Sequence, residues 1–343
     1  MSAIPQGAIR FNTDSQKLEF YAQGEWWVMS TDTPNLGRGA DTTAGARGLF
    51  AGGSGVSPAP GLRNEIDYIN IASTGNALDF GDLSSSREWA TFGCASRTRG
   101  IAAGGFTAPQ SVNVIDYVTI ASTGNASNFG DLTNARAAGG GCSNQTRGLF
   151  AGGNPTFASP AKTDTIDYIT IASTGNAVDF GNLLTAATSS ITGATANTTR
   201  GIWGGGYTPT VLNTIQFVTI ATLGNTQDFG DATSVMYEGQ AAASATRGLF
   251  AGSSGPVHQT AIDYITIAST GNATSFGDLI QAAGSTFGGG NASSTRAVFA
   301  TDNSGKNDLE YVIIQTTGNA VDFGDLNLAR DLGAAFSNGH GGL

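Results

Sequence analysis

The chain repeats itself about every fifty residues, and that self-similarity limits its fold more than any other feature. An arginine followed by a short apolar run recurs at Arg47, Arg99, Arg147, Arg200, Arg247 and Arg296, at intervals of 47 to 53 residues. Each run ends in small residues, as in RGLFAGG at 147–153, and a loop of variable length follows. Next comes a second apolar segment with a fixed sequel, IDYITIASTGNAVDFGNL at 166–183, and then a Gly/Ala-rich run such as ARAAGGGCSNQT at 135–146. A unit this short cannot bury its own faces, so the copies must stack on one another.

Each piece reads as a strand. IDYITIA is β-branched and aromatic on both alternating faces, with Ile166 and Tyr168 pointing one way and Ile169 and Ile171 the other. This is the pattern of a strand covered on both sides. The Gly-Asn of STGN predicts a tight hairpin turn. A Phe-Gly pair at Phe80, Phe129, Phe180, Phe229, Phe276 and Phe323 supplies one large ring per unit for packing between sheets. The Gly-rich run suits the crowded innermost strand. The expectation is therefore an all-β chain of six four-stranded sheets in a ring. A seventh Gly-rich strand, ARDLGAAFSNGHGG at 329–342, would complete the first sheet beside 47–53. A seven-bladed ring using both chain ends and a β-solenoid are the competing readings.

The order of arginine, apolar strand ending in Gly-Gly, strand, turn and aromatic-x-x-Leu resembles the kelch repeat. It implies a six-bladed kelch-like β-propeller over residues 36–343. The Gly-Gly pairs are at 52–53, 104–105, 152–153 and 205–206, and decay to Gly252-Ser253 and Thr301-Asp302. Phe stands in DFGDL where a kelch repeat carries tryptophan.

Residues 1–35 are unlike the repeat and read as a short β-hairpin module. Ala8–Phe11, Lys17–Tyr21 and Glu25–Met29 alternate as strands. So few residues cannot hold a core alone. Trp26 and Trp27 are consecutive and so face opposite sides of a strand. Packing on the propeller rim and contact with another subunit both answer that need. Phe11, Tyr21, Trp26 and Trp27 are the candidate docking or oligomerisation residues. The segment resembles a module of tailed-bacteriophage structural proteins in Gly7, Ile9, Arg10, Phe11, Asn12, Thr13, Asp14, Leu18, Glu19, Tyr21 and Trp26. The repeats resemble those of fibre-like virion proteins from phages of marine cyanobacteria. The two resemblances imply a virion location on tail or capsid surface, with other virion proteins as partners.

Only 12% of the residues are charged and the net charge is −10, with no basic stripe. That argues against nucleic acid as a partner. No apolar run approaches the roughly 20 residues of a bilayer span, so membrane insertion is not expected. The N-terminus lacks the pattern of a secretory signal. Cys94 and Cys142 occupy the same slot in adjacent units and read as free core thiols. With two histidines, His258 and His340, and no nucleophile or phosphate-loop motif, the chain is expected to be neither an enzyme nor a metal or cofactor protein. Asp67, Asp116, Asp167 and Asp263 recur by unit, as do Asp82, Asp131, Asp231, Asp278 and Asp325. Recurrence suggests scaffold duty, either pairing with the repeated arginine or capping turn N–H groups. Asp302, Asp308 and Glu310 read as a solvated loop.

Variation concentrates in the loops 54–65, 106–114, 154–165, 207–214, 253–261 and 302–308, which hold seven of the nine prolines. Phe106, Phe157, Lys162, Tyr207 and His258 are the candidate partner-binding residues there. Stiff loops lose little entropy on binding, and aromatic side chains on them suit a host-surface protein or glycan. The expected function is a non-enzymatic virion protein, adhesin-like or decorative, with self-association allowed by the N-terminal module. An intracellular kelch-type interaction scaffold is the alternative.

Overall fold

A computed structural model describes residues 5, 7–12, 17–28, 46–55, 61–89, 92–156, 162–185, 193–254, 258–283, 287–289, 291–301 and 307–343. Among them there is no helix, and the fold is all-β. The chain divides into two compact units, Met1–Thr43 and Ala44–Leu343. The expected boundary at 35/36 lies outside the described residues, as does Phe157.

The first unit contains an antiparallel sheet of Ile9–Asn12, Lys17–Ala22 and Glu25–Val28. Among the described residues the second contains six antiparallel sheets of four or five strands, one per repeat, besides a two-stranded hairpin. Sheet II, for example, is Phe92–Ala95, Arg99–Ala103, Val114–Thr119 and Ser127–Asp131, in sequential order across the sheet. Sheets III to VI repeat this order, beginning at Gly140, Ala194, Gln240 and Asn291. Sheet I draws on both ends of the unit. Arg47–Gly55, Gly61–Asn70 and Leu78–Asp82 are joined by Ala334–Ser337, which pairs Ala334 with Ala51 and Ser337 with Gly48. The last strand thus completes the first sheet, as its sequence suggests.

The Phe-Gly pair has a definite geometric task. In every sheet the pairing of the third and fourth strands slips by one residue, between Ile66 and Asp67 in sheet I and at equivalent points elsewhere. Ile66 faces Gly81 and Asp67 faces Asp79, so Phe80 is the extra residue of a β-bulge. The bulge turns Phe80 inward, 2% exposed, with its edge toward Tyr68 at 5.9 Å between centroids. The same contact recurs at 5.8 to 6.1 Å in the other five sheets. Gly81 (φ +145°) must be glycine for two reasons. Its backbone is in the region L side chains avoid, and a Cβ would run into Gly124 of the next repeat.

Between sheets, the STGN segments behave otherwise than expected. They form no tight hairpin. Each lies along the outer strand of the preceding sheet: Gly124 N–H donates to the Phe80 carbonyl (2.7 Å), Ala126 N–H to that of Asp82 (2.7 Å), and Asp82 N–H to Asn125 Oδ1 (3.1 Å). Outer edges that would otherwise be open are thereby covered. The glycine link repeats from Gly175 to Phe129, Gly224 to Phe180, Gly271 to Phe229 and Gly318 to Phe276, and then from Gly75 to Phe323. The sixth link returns to sheet I.

The repeated arginine also serves a different end from the one expected. It does not pair with the repeated aspartate. Arg47 Nη1 donates to the Ile120 carbonyl at 2.9 Å with its guanidinium 4.9 Å above the Tyr68 ring. Arg99, Arg147, Arg200 and Arg247 reach Ile171, Ile220, Ile267 and Ile314 in the same way, and Arg296 reaches back to Ile71. Six buried clusters follow the same order. One is shared by sheets I and II around Phe80 and Val118, and another by sheets VI and I around Phe323 and Ile71. Neither face of any sheet is buried within its own repeat, which is why the strand sequences are apolar on both sides.

Candidate functional site

The loops give one compact cluster. Lys162, from the loop of sheet III, places Nζ 4.1 Å from the Tyr207 ring centroid and donates to the carbonyls of Tyr207 (2.9 Å) and Thr208 (3.0 Å) in the loop of sheet IV. Tyr207 in turn meets Tyr237, ahead of sheet V, with ring centroids 5.8 Å apart. Partial burial lowers the Lys162 pKa and raises that of Tyr237, whose neighbours Glu238 and Tyr207 add to the effect. The ammonium is held by two carbonyls and a ring, so its part is to fix Tyr207, which remains 41% exposed. The arrangement is a stiff aromatic surface with two phenols, suited to contact and hydrogen bonding.

Sequence reasoning brought Lys162 and Tyr207 forward and missed Tyr237. A signal was present, because Tyr237 stands where sheet III has Ala137. Both follow the residue, Met236 or Arg136, whose carbonyl receives the Gly206 or Gly105 N–H. Phe106 opens a short hairpin, Phe106–Thr107 with Gln110–Ser111, and exchanges backbone hydrogen bonds with Glu88. His258 is exposed. Ser111 Oγ donates to the Asn154 carbonyl (3.1 Å), so the loops of sheets II and III also touch.

The N-terminal sheet has two unlike faces. On one, Arg10 pairs with Glu19 (2.8 Å) and lies 4.2 Å over the Trp26 ring, which meets Tyr21 edge-on at 5.3 Å. On the other, Ile9 stands opposite Phe20, with Phe11 two residues along the same strand. These three are 63%, 37% and 58% exposed. Of the candidate docking residues, then, Tyr21 and Trp26 hold the sheet together while Phe11 belongs to the bare apolar face. Trp27 is in register with Phe20, and its side chain lies outside the described residues.

Three of the recurring aspartates, Asp67, Asp116 and Asp167, are structural and pair with arginines the sequence did not single out. Arg330–Asp67 (3.0 Å), Arg87–Asp116 (2.9 Å) and Arg136–Asp167 (3.0 Å) are buried ion pairs in sheets I to III. Burial lowers the guanidinium pKa of all three, and the facing aspartate opposes the shift. The carboxylates also cap turns, as expected: Asp167 accepts the N–H and hydroxyl of Thr133, and Asp263 those of Thr233. In sheet IV the slot holds Gln216 and in sheet VI Glu310. Glu310 is therefore no solvated loop residue. It is 1% exposed and accepts the Ile280 N–H at 2.7 Å. Asp302 lies outside the described residues. Among the described residues, no three His, Cys, Asp or Glu side chains converge as a metal site.

A central cavity of about 30 Å³ opens where the Gly/Ala-rich strands of the sheets meet. Cys94, Cys142, Ser143, Ala196, Ser337 and His340 are among its lining. Both cysteines are free and buried, and burial pushes the Cys94 thiol well above its usual range. Such thiols are inert. No protein-family model matches this sequence, and no curated protein matches it.

Proposed function

We propose that this chain is a non-enzymatic structural protein of a tailed-phage virion. In this reading the six sheets are the blades of a kelch-like β-propeller, the N-terminal sheet joins it to other virion proteins, and the loop face meets a host-surface protein or glycan. The propeller reading is supported by the six Gly-to-Phe links, which return to their start. Stacked sheets in an open solenoid would leave the first and last without that contact. The docking reading is carried by one observation: the N-terminal sheet satisfies its polar face internally and leaves Ile9, Phe11 and Phe20 bare. Apolar side chains grouped on such a small sheet are the mark of a surface that another protein covers. The virion assignment itself rests on the resemblance of residues 7–26 to the phage module.

Deletion of residues 1–30 tests the proposal. The remaining chain should keep its β-sheet circular dichroism and its cooperative unfolding, and should disappear from purified particles. A truncated protein that assembles as well as the full chain would overturn the docking role.

A further inference from the structure

Residues 338–343 cross the mouth of the central cavity and touch all six sheets. Asn338 anchors the segment at Arg47 of sheet I. Gly339 lies against the Ala292 carbonyl at the end of sheet VI. His340 Nε2 meets the Ala95 carbonyl of sheet II at 3.0 Å and Ser143 Oγ of sheet III at 3.3 Å. Gly341 N–H donates to Ala243 of sheet V at 2.9 Å, and the Ala196 carbonyl of sheet IV lies where a Cβ at Gly341 would come. Glycine is needed here because the chain passes directly over carbonyl oxygens.

We propose that residues 339–343 are a proton-released stopper of the central cavity, with His340 as its sensor. The tautomer follows from its neighbours. Nδ1 accepts the Gly342 N–H at 3.1 Å, so Nε2 carries the hydrogen and donates to Ala95. A proton arriving at Nδ1 replaces the acceptor with a donor facing the Gly342 N–H, and that contact turns from attraction to repulsion. Among the described side chains the charge has no counter-ion. The lining contributes Cys94 and Cys142 as its other titratable groups, both kept neutral by burial, and no Asp, Glu, Lys or Arg among the described residues.

Burial lowers the His340 pKa to about 4 from an ordinary 6.5. The freed segment therefore binds the proton about 300-fold more tightly than the docked one, which bounds the shift that acid can produce. Ala334–Ser337, paired along sheet I, stays in place, and the hinge is the glycine-rich stretch after Asn338. Release opens the cavity and uncovers the two thiols.

Hydrogen exchange, corrected for the intrinsic pH dependence of amide exchange, tests this on the full chain at pH 7 and at pH 4 and below. Residues 339–343 should lose protection at the acid end, by up to about 300-fold, while Ala334–Ser337 keeps it. His340→Gln should keep the segment protected at both. Equal protection at the two pH values, or parallel loss in His340→Gln, would overturn the proposal. A second measurement needs no variant. His340 is one of two histidines, so its ring can be followed directly by NMR. It should titrate near pH 4 together with release, and titration near 6.5 with the segment still protected would also overturn it.

Discussion

The side chain of Asn338 accepts the backbone N–H of Arg47 at 2.8 Å, across 291 residues of sequence. In sheets III and IV the same bond is local, since Asn144 caps Arg147 and Asn197 caps Arg200 within a single turn. Ser96, Ser244 and Ser293 do so for Arg99, Arg247 and Arg296. In sheet I the turn is cut, and its two halves are brought together only by folding.

This seam should be the most sensitive point of the second unit. Asn338→Ala removes the hydrogen bond to Arg47 and should cost about 1 kcal/mol. Asn144→Ala, whose side chain also bonds Thr146 and Thr198, should cost more. Deleting residues 329–343 is a different matter, because it strips sheet I of its Gly/Ala-rich strand, its edge and the buried Arg330. Cooperative unfolding in denaturant should be lost in the deletion and kept, with a lowered midpoint, in both point variants.

The buried ion pairs can be compared with the protein's own replacements. Met236 occupies in sheet V the slot of Arg136, and Gln216 occupies in sheet IV the slot of Asp167. Arg87→Met leaves the Asp116 charge buried without its cation and should cost about 3–5 kcal/mol. Adding Asp116→Gln should recover most of that loss. A double-mutant cycle by urea unfolding would read a coupling above about 1 kcal/mol, and additive losses would mean the pair is not energetically linked.

Much of this architecture is legible because repetition converts weak signals into strong ones. A single Phe-Gly is ambiguous, and six recurring every 47 to 51 residues must do one job. What repetition hides is the partner of each repeated group. The recurrence of an arginine such as Arg147 and an aspartate such as Asp167 in successive units suggests a pair, yet Arg147 reaches across to the next sheet while Asp167 meets Arg136. Strand register decides that choice: Arg147 stands opposite Thr170 and Asp167 opposite Phe150, so the two are set apart along neighbouring strands. The STGN turn failed as a hairpin for a related reason. Its hydrogen-bonding groups are satisfied by a neighbouring sheet, a contact that local turn propensity does not contain. The stopper was missed because SNGHGGL carries no periodicity at all.

The glycine contacts offer a paired test. Gly130 (φ +152°) and Gly175 (φ +157°) share a backbone conformation, but a Cβ at Gly130 would overlap Gly175 whereas one at Gly175 meets nothing. Gly175→Ala should cost the conformational strain alone, about 1–3 kcal/mol. Gly130→Ala adds displacement of the neighbouring sheet, about 1–3 kcal/mol more. Equal losses in thermal unfolding would show that the sheets move apart freely.

Two buried groups should tilt stability with pH in opposite directions. Burial raises the Glu310 pKa above 4.5, against hydrogen bonds from Ile280, Thr301 and Gln281 that oppose the shift. The folded protein thus holds that proton more tightly. Its contribution is complete below pH 4.5 and is lost as pH rises through the raised value. His340, neutral in the fold, contributes fully above about pH 6.5 and loses that contribution as pH falls to about 4. Its share is on the order of 1–3 kcal/mol, because the residue, though largely buried, is not fully so and water screens part of the charge. Unfolding between pH 4 and 7 should therefore be flatter in His340→Gln. At pH 7, Glu310→Gln should match or exceed the parent, with the amide serving as Gln216 does in sheet IV, where it accepts the Leu184 N–H at 2.9 Å.

On the proposed docking role, the two faces of the N-terminal sheet separate stability from docking. Tyr21 and Trp26 hold its polar side, where Arg10 joins Glu19, so Tyr21→Ala should unfold the sheet and abolish docking by destroying the surface itself. Phe11→Asp leaves that side intact and places a charge among Ile9, Phe11 and Phe20, which any apolar partner must desolvate. Protease protection of residues 7–28 should fall in Tyr21→Ala and hold in Phe11→Asp, while incorporation into particles fails in both. If Phe11→Asp assembles normally, the apolar side is not the docking surface, and the polar side or a strand edge must make the contact instead.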